Sequence, residues 1–122
     1  MTKLTLRENQ IAEIRPLAEL TNLQELFLIH NQIADVSPLA RLTNLEVLEL
    51  SENQITDVSS LARLTNLTEL FLSFNPITDV RPLAKLTNLN RLDLEGHQIT
   101  DTADCRFMKY TLQIIYKLPL IK

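Results

Sequence analysis

The 122-residue chain has one cysteine, one glycine and no tryptophan, and no window of it approaches 18 consecutive apolar residues. A single cysteine, Cys105, excludes an internal disulfide but leaves the cellular compartment open. The lack of a long apolar run predicts that no transmembrane helix is present. The single glycine, Gly96, argues against a glycine-rich phosphate-binding loop.

Basic residues are also in the minority, because 12 lysines and arginines face 15 aspartates and glutamates, for a net charge of −3. A nucleic-acid binder normally carries a basic stripe, so we expect no nucleic-acid partner. The sequence starts Met1-Thr2-Lys3-Leu4, without an apolar stretch before a small-residue cleavage site, and we expect no signal peptide. The compartment is undetermined from these features, with the cytoplasm favoured.

What the chain does have is a repeat of 22 residues. Leucines recur at fixed spacings around an asparagine that itself recurs every 22 residues, as Asn9, Asn31, Asn53 and Asn75. One unit reads Leu23-x-x-Leu26-x-Leu28-x-x-Asn31-x-Ile33-x-x-Val36-x-x-Leu39-x-x-Leu42. Self-similarity at this period is the mark of a stacked array, and this pattern is that of a leucine-rich repeat.

Each unit divides into a strand and a return leg. The Leu-x-Leu segment alternates with period two, which predicts a strand with one buried face. The return leg has apolar residues at every third position, which favours a 3₁₀ turn or short helix, with Asp35 as the predicted N-cap and Pro38 early in the helix. The predicted fold is therefore an α/β solenoid, a right-handed superhelix with a five-stranded parallel concave sheet and short 3₁₀ or irregular convex segments.

The recurring asparagine has a predicted structural role. It falls in the bend after each strand, where the backbone N–H and C=O groups no longer pair within the sheet and need other hydrogen-bond partners. A buried amide side chain offers two donors and an acceptor for them. We expect these side chains to form hydrogen bonds from one coil to the next.

The run Asn53-Gln54-Ile55-Thr56-Asp57-Val58-Ser59-Ser60-Leu61-Ala62-Arg63-Leu64-Thr65-Asn66-Leu67 resembles the 22-residue repeat of internalins, which many bacterial leucine-rich repeat proteins share. The resemblance extends from residue 1 to about residue 101. It implies a curved solenoid that binds proteins on its concave sheet face. The matching residues are structural, so the resemblance does not name a partner.

The C-terminal part departs from the repeat. His97 stands where asparagine is expected, and residues 106–122 hold four basic residues, no acidic residue and many apolar ones. We predict a repeat array over residues 1–105 and an atypical tail over residues 106–122. The tail could cover the last coil, cover another copy and so give a homo-oligomer, or be disordered. The open ends of the array offer a second route to a homo-oligomer.

Residues able to do chemistry are few and scattered. His30 and His97 lie three coils apart, and Cys105 occupies a leucine position where a buried thiol is expected. Four aspartates recur with the repeat: Asp35, Asp57, Asp79 and Asp101. Stacked carboxylates can bind calcium, but one carboxylate per coil is too few for it. Helix capping explains these aspartates instead. We therefore expect no enzyme activity, no catalytic residues, no cofactor and no metal.

The positions that differ between repeats predict a binding surface. The second, third, fifth, seventh and eighth residues of each repeat are predicted to face away from the core. They hold aromatic and aliphatic residues ringed by carboxylates, as in an interface core with a polar rim. The predicted partner-binding residues are Phe27, Ile29, His30, Val47, Glu49, Phe71, Phe74, Glu25, Glu52 and Glu69. We expect a protein partner with a basic and apolar surface. The alternative is a structural, self-assembling repeat unit or a fragment, natural or designed, with no partner of its own.

Overall fold

The computed structural model of the protein describes residues 1–96, in which five short strands alternate with four 3₁₀ helices. The strands are β1 (Lys3–Thr5), β2 (Glu25–Phe27), β3 (Val47–Glu49), β4 (Glu69–Phe71) and β5 (Arg91–Asp93). The helices are η1 (Arg15–Glu19), η2 (Ser37–Arg41), η3 (Ser59–Arg63) and η4 (Arg81–Lys85). We call each 22-residue unit a coil: coil one is 1–22, coil two 23–44, coil three 45–66, coil four 67–88, and coil five starts at 89. The position of a residue is its number counted from the first residue of its coil, so that Leu26 is at position four of coil two.

The strands form one parallel sheet in the order β1-β2-β3-β4-β5. Each residue pairs with the residue at the same position of the next coil, so that Leu26 lies beside Leu48 and Leu48 beside Leu70. The sheet is open, with β1 and β5 at its edges within the described residues. The predicted leucine-rich repeat solenoid, with a parallel sheet and short 3₁₀ return segments, is confirmed.

The core lies between the sheet and the return leg. Leucines at positions four and six come from the strand side and isoleucine, valine and leucine come from the return leg, and in coils two to four these side chains are essentially inaccessible to water. Burying one such side chain stabilises the fold by about 1.5–3 kcal/mol. In coil one only Ile14 of the corresponding side chains is fully buried, and the others are half-buried: Leu4, Leu6, Ile11, Leu17 and Leu20.

The 3₁₀ helix of each return leg starts one residue later than the sequence predicts. The N-cap of η2 is Val36 and it makes no side-chain capping hydrogen bond, so the prediction of Asp35 as N-cap is wrong. Asp35 instead accepts, through Oδ1, the backbone N–H of Ser37 at 2.9 Å. Asp57 and Asp79 repeat this bond with the residues two positions further on. The aspartates therefore fix the turn that leads into each 3₁₀ helix, a role that asparagine and aspartate often take in turns.

The asparagine at position nine ties neighbouring coils together, as predicted. Asn53 donates from Nδ2 to the carbonyl of Leu28 in the preceding coil at 3.1 Å and to Leu50 in its own coil at 2.9 Å. Its Oδ1 accepts the N–H of Ile33 in the preceding coil at 3.0 Å. Asn31 and Asn75 make the same set of bonds and are also buried.

Asn9 is different, because its side chain is exposed and forms no hydrogen bond within residues 1–96. A second row of asparagines, at position 22, links the turns. Asn44 Nδ2 donates to the carbonyl of Thr21 at 2.9 Å, and the same bond recurs in the next two coils. The sequence predicts this position to be a turn, but not that it also bonds to the preceding coil.

The predicted end of the array at residue 105 and the predicted tail over 106–122 lie outside the described residues and stay predictions. None of the helices in the described part of the chain is long and apolar enough to cross a membrane.

Candidate partner-binding surface

The outward side of the sheet is formed by positions three and five of each strand. Because position four between them is buried, their side chains are directed away from the core. In the three central strands these side chains are half-buried by one another: Glu25, Phe27, Val47, Glu49, Glu69 and Phe71. We call the outward side chains at positions two, three, five, seven and eight the sheet face.

Position seven only partly belongs to this surface. Ile29 is half-buried, but Ser51 and Ser73 are buried, so the prediction that position seven faces outward is wrong in coils three and four. Their Oγ atoms lie 3.0 Å apart, and Ser73 N–H donates to Ser51 Oγ at 3.2 Å. The strand ends at position five, so the alternation of sides no longer holds two residues later. Small hydroxyl side chains fit this buried place because they bond to each other.

Position eight has the same backbone in every coil, although its residues differ. Its φ is positive, between 55° and 61°, at Glu8, His30, Glu52 and Phe74, and 75° at Gly96. This left-handed conformation is uncommon for residues other than glycine and asparagine. It is retained because the N–H groups donate to position-seven carbonyls of the next coil, as in His30 to Ser51 at 3.0 Å. The turn holds these side chains at the exposed rim of the sheet face.

Phe74 is the most exposed apolar side chain of the predicted site, at 55% of its full accessible area. Its ring lies directly over Gly96, where an added Cβ would come within 2.6 Å of Phe74 Cδ1. The only glycine of the chain is therefore needed twice, for its positive φ and for the space that the ring occupies. A ring held open to water on a left-handed backbone is a costly arrangement, and such arrangements occur often at functional sites.

The rings of Phe27 and Phe71 are each approached by cations from an outer coil. Lys3 Nζ lies 5.3 Å and Arg7 Cζ 5.9 Å from the ring centroid of Phe27, and Arg91 Cζ lies 5.3 Å from that of Phe71. These are cation–π distances. Lys3 and Arg91 are diagonal neighbours of the two rings in the paired strands, so these two contacts could have been recognised from the register.

Charge is distributed unequally around the coil. The sheet face carries eight carboxylates and three cations, an excess of five negative charges, whereas the return legs of residues 1–96 carry five of each sign. Three ion pairs lie on the return leg, among them Arg41–Glu19 at 3.5 Å. Within the described residues, by contrast, the four predicted partner-binding glutamates form no ion pair: Glu25, Glu49, Glu52 and Glu69.

In residues 1–96, no three His, Cys, Asp or Glu side chains lie close enough together to hold a metal ion. The pKa values of Asp35 and Asp57 are lowered by hydrogen bonds from Ser37 and Ser59, and that of Asp79 by hydrogen bonds from Arg81. These shifts belong to the turns described above. His97, Asp101 and Cys105 lie outside the described residues.

Comparison with known protein families identifies the type of repeat. The family described as leucine-rich repeats (2 copies) matches residues 1–41, 21–63, 43–80 and 65–104. The chain belongs to the leucine-rich repeat family. Such proteins, internalins included, are generally protein-interaction modules and generally not enzymes. A search of curated protein sequences found no match.

Solved structures identify the repeat as internalin-like. An internalin (inlF) of Listeria monocytogenes is 42% identical, with a TM-score of 0.82 over 89% of this chain and 32% of that one. Internalin C2 of the same organism is 45% identical, with a TM-score of 0.74 over 83% and 46%. A leucine-rich repeat protein of Leptospira interrogans is 26% identical, with a TM-score of 0.66 over 89% and 35%. The chain thus spans about a third to a half of the length of these structures.

Proposed function

We propose that this leucine-rich repeat protein is a non-enzymatic module that binds a protein partner on the sheet face. The observation that carries the proposal is the composition of that face. Phe27, Phe71 and Phe74 stand among glutamates that have no ion pair within residues 1–96. Aromatic residues are enriched among the residues that dominate binding energy, and a polar rim around them excludes water.

Electrostatics predicts the nature of the partner. An excess of five carboxylates on one face attracts a basic surface and repels an acidic one, which affects association rate and selectivity more than affinity. The return leg, with balanced charges and ion pairs of its own, offers no such field. The partner should therefore present basic residues around an apolar centre that packs on Phe71 and Phe74. His30 and Ile29 extend the same surface towards coil two.

Capture experiments with matched variants test this proposal. Proteins retained by the immobilised wild-type chain are compared with those retained by the double variant Phe27→Ala/Phe71→Ala, with Arg63→Ala on the return leg as the control. We expect the partner to be lost from the double variant and retained by the control. Phe71→Ala alone should weaken binding of the purified partner by about 2 kcal/mol or more, roughly 30-fold.

Kinetics test the electrostatic part of the proposal. Glu69→Lys reverses one charge of the sheet face and should slow association and flatten its dependence on salt concentration. Circular dichroism of every variant checks that the fold is retained. A double alanine variant that is folded and binds the partner with unchanged affinity would show that the sheet face is not the binding surface.

A further inference from the structure

Coil three is the centre of a nearly symmetric arrangement on the sheet face. At position five, Glu49 lies between Phe27 on one neighbouring strand and Phe71 on the other. At position three, Val47 lies between two glutamates, which are followed by a cation at each edge of the sheet: Lys3, Glu25, Val47, Glu69 and Arg91. At position three, therefore, a glutamate and then a cation follow coil three in both directions along the sheet.

The two rings are already in contact with cations, but only with cations from the outer coils. Lys3 and Arg7 of coil one approach Phe27, and Arg91 of coil five approaches Phe71. Coil three contributes no cation to either ring, because the sheet positions beside them hold Val47 and Glu49. Between the two rings there is thus a carboxylate but no positive charge.

The spacing of the sheet suits one cation in this gap. Neighbouring strands lie about 4.8 Å apart, so the backbones that carry Phe27 and Phe71 are roughly 10 Å apart. A cation above β3 is one strand spacing, about 5 Å, from the strand that carries each ring, which is comparable with the roughly 6 Å limit for cation–π attraction. Glu49 lies directly beneath that point. A single positive group can therefore interact with both rings and with the carboxylate.

Glu49 is oriented for this role by its own backbone. Its Oε1 accepts the N–H of Ser51 at 2.8 Å, and Oε2 has no hydrogen bond within residues 1–96. Glu49 is half-buried as a residue, whereas Glu52 is exposed. Holding the carboxylate in place before binding lowers the entropic cost of forming a new bond.

We propose that this gap, the Phe27–Glu49–Phe71 clamp, binds the guanidinium of one arginine side chain of the protein partner. The inference rests on the proposed function and adds the chemistry of its central contact. Arginine fits better than lysine, because a planar guanidinium stacks on aromatic rings while its edge donates to Oε2. A lysine ammonium is compact and more strongly hydrated. Glu25 and Glu69, at position three of the neighbouring strands, add negative charge around the clamp.

Titration of the full chain with a short peptide, acetyl-Gly-Arg-Gly-amide, tests the clamp by NMR. The matched probes carry lysine, or neutral citrulline, in place of arginine. We expect amide signals of Phe27, Glu49, Ser51 and Phe71 to move with arginine, weaker changes with lysine and none with citrulline. Glu49→Gln should weaken arginine binding at least about fivefold. Glu13→Gln, which removes one carboxylate from the return leg, should leave binding unchanged.

Several results would overturn the clamp. Equal binding of citrulline would show that charge is irrelevant, and equal binding of lysine would remove the assignment to arginine. Signal changes spread over all carboxylates, with Glu49→Gln and Glu13→Gln alike, would show unspecific attraction. If the peptide fails to bind but the captured protein is still lost from Phe27→Ala/Phe71→Ala, only the clamp is wrong. If the peptide binds while protein capture is unaffected, the clamp exists and the proposed function is wrong.

Discussion

Two adjacent positions of every strand behave in opposite ways. Position four is leucine in all five coils, whereas position five holds threonine, phenylalanine, glutamate, phenylalanine and aspartate. Position four lies against the leucines of the neighbouring coils in the core, where only a side chain of its volume fits. Position five meets water and the neighbouring strands, where many side chains are accepted. Repeated residues therefore specify how coils stack, and varied residues set the chemistry of the sheet face.

Replacing neighbouring residues of β3 tests that difference most strongly. Leu48→Ala should lower the free energy of unfolding by about 2–5 kcal/mol, because it leaves a cavity in a fully buried layer. Val47→Ala, at the half-buried position beside it, should lower it by less than about 1 kcal/mol. Urea unfolding followed by circular dichroism measures both. Similar losses for the two variants would show that the two sides of the strand contribute alike to stability.

The asparagines at position nine allow the effect of residue type to be distinguished from the effect of its hydrogen bonds. Asn53→Ala should cost about 2–3 kcal/mol, because buried backbone groups of Leu28, Ile33 and Leu50 lose their partner. Asn9→Ala changes the same position of the repeat but removes no hydrogen bond within the described residues, and it should cost less than about 0.5 kcal/mol. If both variants lose equal stability in urea, the coil-to-coil bonds are not what makes this position matter.

Position eight combines a constant backbone with variable residues. Glu52→Asn should raise the free energy of unfolding by about 0.5–1 kcal/mol, because asparagine tolerates the left-handed conformation that Glu52 adopts at φ 58°. Glu46→Asn removes the same charge at an exposed position of the same coil with no positive φ, and it serves as the control. Thermal unfolding of both variants compares them, and an equal change in the two would mean that charge rather than backbone conformation is responsible.

In the aspartate row Asp35 and Asp57 are exposed and Asp79 is half-buried, and we expect the effect of this row to be the smallest. Hydrogen bonds lower the pKa of Asp35, Asp57 and Asp79 in the folded chain. Groups with a lowered folded pKa stabilise the fold fully above the unfolded value, about 4, and this contribution disappears as pH falls through the folded value.

A triple variant tests the aspartates together. Asp35→Asn/Asp57→Asn/Asp79→Asn keeps an oxygen that accepts each backbone N–H but removes the titration. Below about pH 4, its free energy of unfolding should therefore fall less steeply than that of the wild type. Unfolding in urea at a series of pH values from neutral to acidic measures this, and parallel curves would contradict the assignment.

The fold could be predicted from the sequence because its periodicities are physical requirements. Leu26 and Leu28 alternate as a half-buried strand must, and Ile33 to Leu42 repeat every third residue as a 3₁₀ return leg allows. The error of one residue at Asp35 has a local cause. Aspartate can serve either as an N-cap or as the acceptor of a turn just before it, and only the backbone geometry distinguishes the two.

Less of the candidate site could be predicted from the sequence. The outward direction of Phe27, Glu49 and Phe71 followed from alternation within the strand, but alternation stops where the strand ends. It therefore gave the wrong side for Ser51 and Ser73. The positive φ at position eight could not be inferred either, since glutamate, histidine and phenylalanine there give no sign of a left-handed backbone. Phe74 was recognised as outward-facing, but not its contact with Gly96.

From coil two onward, each asparagine of the two rows in the described residues forms hydrogen bonds to the coil before it, across 20 to 25 residues of chain. If residues 45–66 were deleted, Asn44 would be followed by Leu67 instead of Leu45, and Asn75 could take over the bonds that Asn53 makes to coil two. Gene duplication or deletion of one whole repeat thus preserves every kind of contact, whereas an insertion of any other length places each later row beside the wrong neighbour. Evolution can therefore widen or narrow the sheet face in steps of one strand while the same kind of core is kept.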